Sequence, residues 1–303
     1  MHADPLRSGR GAAAHPCFRL KGESVPLDPR INAVRGDLAD VRLAGVLFAP
    51  HYAAAMEFRL VADAAFVRAE PAGTATAVSQ LLHGESFHVL EVTGGWAWGF
   101  CGHDHYVGYV PFAALTQGPL TATHQVTART APLFAGADIK TPVVGTLSAG
   151  ARIAGEVSGD FVVTPRGAMH FRHLAPIGTC EGDWMTAAER QIGQPYVWGG
   201  RGHGGIDCSG LVQLSLGLAG VRVPRDTDLQ RAAFGTPVPE GEPLRRSDIV
   251  YFPGHVGIMT DSAHLLHANA WWMSVTTEPL ADVIARLRPD HEQPVLARFR
   301  IDL

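Results

Sequence analysis

Between residues 58 and 178, apolar and polar positions alternate in short runs rich in β-branched side chains and cut by Gly and Pro. That is the pattern of small antiparallel β modules. The text also repeats itself. Leu81-x-x-Gly84-x-x-Phe87 returns as Leu147-x-x-Gly150-x-x-Ile153, Val92-x-Gly94-x-Trp96 as Val157-x-Gly159-x-Phe161, and Val67-Arg68-x-x-Pro71 as Ala128-Arg129-x-x-Pro132. Two copies of one small barrel, over 58–118 and 119–178, account for these matches. From 179 to 303 helical stretches come first, followed by apolar runs at 249–252, 255–259 and 264–269 that read as strands, which predicts an α+β unit. Leu211, Leu214 and Leu218 recur at helical spacing behind a glycine-rich loop, with Asp207 placed as N-cap and Gly220 as the C-terminal stop. Residues 1–57 read as an accessory segment in which 37–47 favour a helix, because Leu38, Val41, Leu43 and Leu47 fall partly on one face.

Composition narrows the function classes. The 303 residues are 46% hydrophobic and 18% charged, a globular balance, and a net charge of −4 supplies no cationic field for a phosphate backbone, so nucleic acid is not an expected partner. No run approaches the ~18 apolar residues of a membrane span, and Met1 to Arg7 carry no apolar signal core, so the expectation is an unexported, cytoplasmic protein acting as a monomer. Ala13-Ala14-His15-Pro16-Cys17 resembles a lipidation site only faintly. Cys17, Cys101, Cys180 and Cys208 include no Cys-x-x-Cys pair, which speaks against a zinc ribbon or a disulfide scaffold.

Candidate chemistry gathers at Cys208. A thiol in the first turn of a helix feels free N–H groups and the positive end of the dipole, which favours a thiolate nucleophile, whereas an isolated cysteine is more often an inert buried one. Two histidines change the balance. His255 and His267 stand equidistant from Asp261 at the turn Thr260-Asp261-Ser262, so a symmetric hairpin sets them opposite each other on one face. His255 is then the base for Cys208 and His267 the group that orients it.

The strings Tyr196-x-Trp198-Gly199-Gly200, Gly205-Ile206-Asp207-Cys208-Ser209-Gly210-Leu211, Pro224-Arg225-Asp226-Thr227-x-x-Gln230 and Gly254-His255-Val256-Gly257-Ile258 resemble the NlpC-type papain-like cysteine peptidases. The resemblance implies a Cys208–His255–His267 triad, the Tyr196 hydroxyl near the nucleophile, and backbone N–H groups at Cys208 for the oxyanion. Ser79-Gln80-Leu81-Leu82-x-Gly84-Glu85, Gly95-Trp96 and Asp104-x-Tyr106-x-Gly108-Tyr109-Val110 are similar to the first of two bacterial SH3-like domains in the dipeptidyl-peptidase branch, over roughly 58–303. That branch cleaves the γ-D-glutamyl–diamino-acid bond of murein stem peptides with a free N-terminal L-Ala, in cell-wall peptide recycling. The carry-over places Glu85, Tyr106, Asp207 and Thr227 at the substrate amine, with the motif positions Ser209 and Asp226 in the same substrate-binding set.

Competing readings are weaker. Gly200-x-Gly202-x-x-Gly205 matches a dinucleotide fingerprint without the strand–helix context that it needs. His103-Asp104-His105 and His170-x-x-His173 each offer too few ligands for a metal, and thiol chemistry requires no metal or cofactor. Arg201 and Arg225 could meet a substrate carboxylate, but solvated loop residues are the default, and Trp96, Trp98, Trp271 and Trp272 could stack on sugars, with core or groove-wall packing the default. The rival functions are a non-catalytic muropeptide-binding protein and an amidase or acyltransferase on the same scaffold.

Overall fold

A computed structural model describes residues 27–301 apart from Gly235 and Glu240. The start of the chain and the stretch around Cys17 lie outside the described residues. Residues 37–47 do not form the expected helix. Leu38–Asp40 is a strand, β1, paired in parallel with β2 (His51–Ala53), and Val41–Leu43 make a single 3-10 turn whose first N–H groups are capped by Asp40. Leu38 and Ala33 pack on Trp98 and Phe100 of the following module. Burial against those rings selects an extended run over a helix with an incomplete apolar face.

The first β module runs β3 (Met56–Leu60), β4 (Ala64–Arg68), β5 (Ala77–Leu82), β6 (Ser86–Thr93), β7 (Trp96–Cys101), β8 (Val107–Pro111) and β9 (Leu115–Gln117), in sheet order β5-β4-β8-β7-β6-β3-β9. The second repeats that order of elements with β10 (His124–Val126), β11 (Thr130–Phe134), β12 (Val143–Ser148), β13 (Arg152–Ile153), β14 (Glu156–Ser158), β15 (Phe161–Thr164), β16 (Gly167–His170) and β17 (Leu174–Pro176). β4–β5 and β11–β12 share antiparallel pairing with a bulge after Val67 and after Leu133 respectively. β3–β9 and β10–β17 correspond too, and the long β6 is matched by β13 plus β14. The bulges put Leu133, not Ala128, in the place of Val67. That part of the repeat was misaligned by matching an Arg and a Pro that occupy no equivalent strand positions, whereas Leu81/Leu147 and Gly84/Gly150 hold. Both glycines have positive φ, and a Cβ on Gly150 would sit 3.0 Å from Leu82 and 3.1 Å from Leu214, at the point where all three units meet.

The third unit is α+β. Helices α1 (Trp184–Glu189), α2 (Cys208–Leu218) and α3 (Thr227–Ala233) precede β18 (Ile249–Phe252), β19 (His255–Met259), β20 (His264–Asn269) and β21 (Ser274–Pro279); α4 (Leu280–Leu287) and β22 (Ala297–Phe299) follow. The antiparallel sheet is ordered β21-β20-β19-β18-β22. Alternation sorts its two faces: Ile249, Tyr251, Val256, Ile258 and Leu266 pack on α2, while Val250, Phe252, Met259 and Leu265 pack on Val283 of α4. Each fully buried side chain of this size contributes roughly 1.5–3 kcal/mol, so the sheet is a rigid floor for what sits at its end.

Buried polar contacts tie this unit to the first module. The Gln80 Oε1 accepts from the N–H groups of Arg201 and His203, and its Nε2 donates to the His203 carbonyl. Arg201 forks onto Glu85 at 2.7 and 3.1 Å.

Candidate active site

Asp207 caps α2 as expected, accepting from the Gly210 N–H at 2.8 Å, and Gly220 follows the helix end with φ +86°. The cap does more than stop fraying. Asp207 also accepts from the Gly199 N–H, the Ser209 hydroxyl and, at 2.5 and 2.9 Å, both guanidinium nitrogens of Arg225. Arg225 is 2% exposed and Arg201 5%, so neither is the solvated loop residue expected. Both are buried forks: Arg225, from the stretch before α3, grips Asp207 and Ser209 at the start of α2, and Arg201 ties the glycine-rich loop to the first module. The glycines at 200, 202 and 205 serve the same tight path: a Cβ on Gly205 would meet Val197 at 2.3 Å.

Cys208 lies at the helix start, 6% exposed, on a cavity of about 270 Å³. The N–H groups of Val256 and Ser209 point at its sulfur. Burial pushes the thiol up to about 12, with the neighbouring Asp207 adding to the shift and those N–H donors opposing it. Burial likewise pushes His255 down to about 3. The resting site therefore holds a neutral thiol and a neutral imidazole; the helix terminus does not make the sulfur anionic by itself.

The two histidines meet, although not directly across the hairpin. Ile258 pairs with Leu266 and Met259 with Leu265, which centres the turn one residue beyond Asp261 and makes His255 and His267 diagonal neighbours. Moving the centre by one residue moves the pairing by two, so the shared face is kept. His255 Nε2 lies 2.7 Å from His267 Nδ1, and His267 Nε2 lies 2.8 Å from Glu278 Oε1. Glu278 also receives Arg286 at 2.6 and 3.1 Å. Burial works to raise the Glu278 carboxyl, yet Arg286 and His267 hold it below the usual range. A carboxylate only accepts, so His267 donates from Nε2 and accepts at Nδ1; His255 then donates from Nε2 and keeps a bare Nδ1 as its basic atom. Neither Glu278 nor Arg286 was singled out from the sequence. They come into play only because β21 pairs beside β20, with His267 opposite Thr276.

Tyr196 is half-buried, and the nearby Cys208 and Asp207 join burial in raising its hydroxyl. The far side of the cavity holds Asp226, Thr227 and Tyr106, whose hydroxyl donates to Asp226 at 2.9 Å. Ser209 lines the same space, its hydroxyl held between Asp207 and Arg225. Glu85 is not there. Its carboxylate is 5% exposed, locked on Arg201 and the Leu82 N–H, and faces a different cavity, so the expected ammonium partner is a structural ion pair instead. Arg30, from the accessory segment, does reach the Cys208 cavity, which nothing in the sequence indicated. Cys101, His103 and Asp104 place one ligand atom each within 4.8 Å. Asp104 is committed to the Tyr106 N–H and to Gln213 of α2, while burial raises the Cys101 thiol well above its usual value. Trp98 is buried under Arg35, whereas Trp271 is exposed beneath Arg286.

Residues 67–115 match the bacterial dipeptidyl-peptidase SH3 domain family, and residues 193–286 match the NlpC/P60 family. A probable endopeptidase of Corynebacterium glutamicum is 40% identical over 87 residues, 28% of this chain and 41% of that protein. Dipeptidyl-peptidase 6 of Lysinibacillus sphaericus is 32% identical over 108 residues, 35% of this chain and 39% of that protein. The chain thus spans about two fifths of the length of each of these two relatives. An NlpC/P60 family protein from Bacillus cereus has the same fold, with a TM-score of 0.68 over 80% of this chain and 99% of that one at 19% identity.

Proposed function

From a chain that joins an SH3 domain of the bacterial dipeptidyl-peptidase type to an NlpC/P60 papain-like domain, we propose a cysteine peptidase of murein stem peptides. It hydrolyses the γ-D-Glu–diamino-acid bond of peptides that begin with a free L-Ala. The observation that carries this reading is the relay Glu278–His267–His255 on the strand whose next residue, Val256, turns its N–H to the Cys208 sulfur, together with a cavity at Cys208 that also holds Asp226 and Tyr106. A substrate ammonium placed at that end meets a carboxylate and a phenol, and the γ-carbonyl then falls toward the sulfur.

The bare Nδ1 of His255 takes the thiol proton as sulfur attacks the carbonyl carbon, so that no free thiolate need be held at rest. The side chain of Asp207 occupies the Gly210 N–H and leaves that of Cys208 for the oxyanion. His255 next protonates the leaving amine, and water, deprotonated by the same nitrogen, releases the dipeptide. Glu278 and His267 stabilise the imidazolium formed in between.

The second β module counts in this reading as a second SH3-like domain, supported by its repeated strand order, with divisions near 57, 118 and 178. A monomer working in peptide recycling inside the cell is part of the proposal. Among the described residues no helix is long and apolar enough to cross a membrane. Cell fractionation and light scattering test the location and the monomer.

The central test is L-Ala-γ-D-Glu-diaminopimelate followed by mass spectrometry. The protein should release L-Ala-γ-D-Glu, and Cys208→Ala should lose at least about a thousandfold in kcat. Undiminished turnover by Cys208→Ala overturns the nucleophile. Binding without cleavage favours a carrier, and transfer products favour an acyltransferase.

A further inference from the structure

The segment before the first β module enters the cavity that Cys208 lines, and it does so through one side chain. The Arg30 guanidinium contacts Asp226, the residue before α3, at 2.8 Å, Asp228 in the first turn of α3 at 2.7 Å, and Asp28 on its own segment at 2.7 Å. The backbone behind it is fixed: the Arg30 carbonyl accepts from the Val107 N–H at 2.7 Å, and Ala33 and Leu38 are buried on Trp98 and Phe100. Arg30 therefore bridges the accessory segment to the catalytic unit across the end of the cavity where Tyr106 also holds Asp226.

We propose that Arg30 is a specificity-determining residue, and that the N-terminal segment, as well as the β module, closes the amine end of the site. The inference rests on the peptidase reading above and adds a residue to it. Three carboxylates around one guanidinium leave two negative charges, which welcome a substrate ammonium. One terminal nitrogen of Arg30 donates to Asp226 Oδ2, the oxygen that also accepts from Tyr106, and this double anchor fixes the carboxylate and leaves Oδ1 for that ammonium. An acyl cap, or the amide that a further residue makes of this nitrogen, would have to displace Arg30 from Asp226 while putting no positive charge at that position. Rejection thus comes from an ion pair that only the wrong substrate must break.

The test compares L-Ala-γ-D-Glu-diaminopimelate with its N-acetyl form in the full chain and in Arg30→Ala and Arg30→Lys. For Arg30→Ala the ratio of kcat/KM between the free-amine and N-acetyl peptides should fall by at least about tenfold, through a lower KM for the N-acetyl peptide with a smaller change in kcat. Arg30→Lys should recover part of the ratio, since it keeps the charge without the fork. A ratio unchanged within about twofold overturns the proposal. A second measurement needs no turnover and so separates this inference from the peptidase reading. Cys208 is modified with a cationic and with a neutral methanethiosulfonate and followed by peptide mapping. Removing the guanidinium should speed the cationic reagent relative to the neutral one by about threefold or more. Equal effects on both reagents would overturn the charge argument even if the natural substrate were something else.

Discussion

At the scale of single residues the site is a chain of donors and acceptors with one direction. Glu278 can only accept, and that single fact propagates through His267 to leave His255 with a basic Nδ1. Glu278→Gln tests it sharply. Arg286 only donates, so it draws the amide oxygen to itself and turns the amide N–H₂ toward His267, which reverses both tautomers and protonates the atom that should act as base. We expect kcat to fall by at least about a hundredfold with little change in KM, without unfolding the protein. A loss below about threefold would remove Glu278 from the relay. The same residues set the pH profile. His255 must be neutral to act, and burial pushes its pKa down to about 3, so the acid limb of kcat/KM should have its midpoint well below 6.5. A midpoint at or above 6.5 in a pH–rate series contradicts a buried neutral base. Cys208 and the histidines were legible because their chemistry is unusual and their spacing suggestive. Glu278, in Thr277-Glu278-Pro279, carried no local signal at all.

Elements were legible where the pattern was long and local. α2 starts at Cys208 with Asp207 as cap, and the strands at 249–252, 255–259 and 264–269 fall where alternation placed them. The hairpin centre was off by one residue because a turn such as Thr260-Asp261-Ser262-Ala263 allows more than one closure, and only the pairing of Met259 with Leu265 decides. The stretch 37–47 failed for the opposite reason: its fate is set by distant rings, Trp98 and Phe100, rather than by its own periodicity. Between elements, the Arg201–Glu85 fork joins the glycine-rich loop to the first module with both side chains only 6% exposed. Arg201→Met should strand the Glu85 carboxylate and cost about 3–5 kcal/mol in urea unfolding, and a second change, Glu85→Leu, should restore much of it. If the single variant lost under about 1 kcal/mol, the pair would not be holding the units together.

For the molecule as a whole, the cavity at Cys208 is assembled from three separated stretches: the accessory segment with Arg30, the first β module with Tyr106, and the α+β unit with Cys208. The whole is held by groups that burial keeps neutral or paired. Burial depresses His255, His267 and His83 below their ordinary value of 6.5. The unfolded chain therefore takes up protons near 6.5 that the folded chain refuses, so stability is complete above that pH and declines as pH falls from about 6.5 toward 3. Glu278 and Asp104, both held below the ordinary carboxylate range, add a further decline below about 4 in the same direction. Urea midpoints should be lower at pH 5.5 than at pH 7.5 with the same m value; a flat or reversed trend would mean that these histidines are not buried neutral.

By itself the sequence determined which residues have reactive chemistry and which short stretches alternate or coil, because both are properties of neighbouring residues. It offered Cys208 and His255 as candidate nucleophile and base, and the α+β and β-module divisions, for experiment to test. The tertiary structure alone decided which carboxylates are left for a substrate. Glu85, with Asp207 assisting and Asp226 as a further motif position, formed one candidate set; packing gave Glu85 to Arg201 on a different cavity and Asp207 to Arg225 at the Cys208 cavity, and set Asp226 in that cavity with Tyr106 and Arg30. The reason is physical. A charge buried without a partner is costly, so each carboxylate goes to whichever cation the fold brings closest, and that proximity joins residues more than a hundred positions apart.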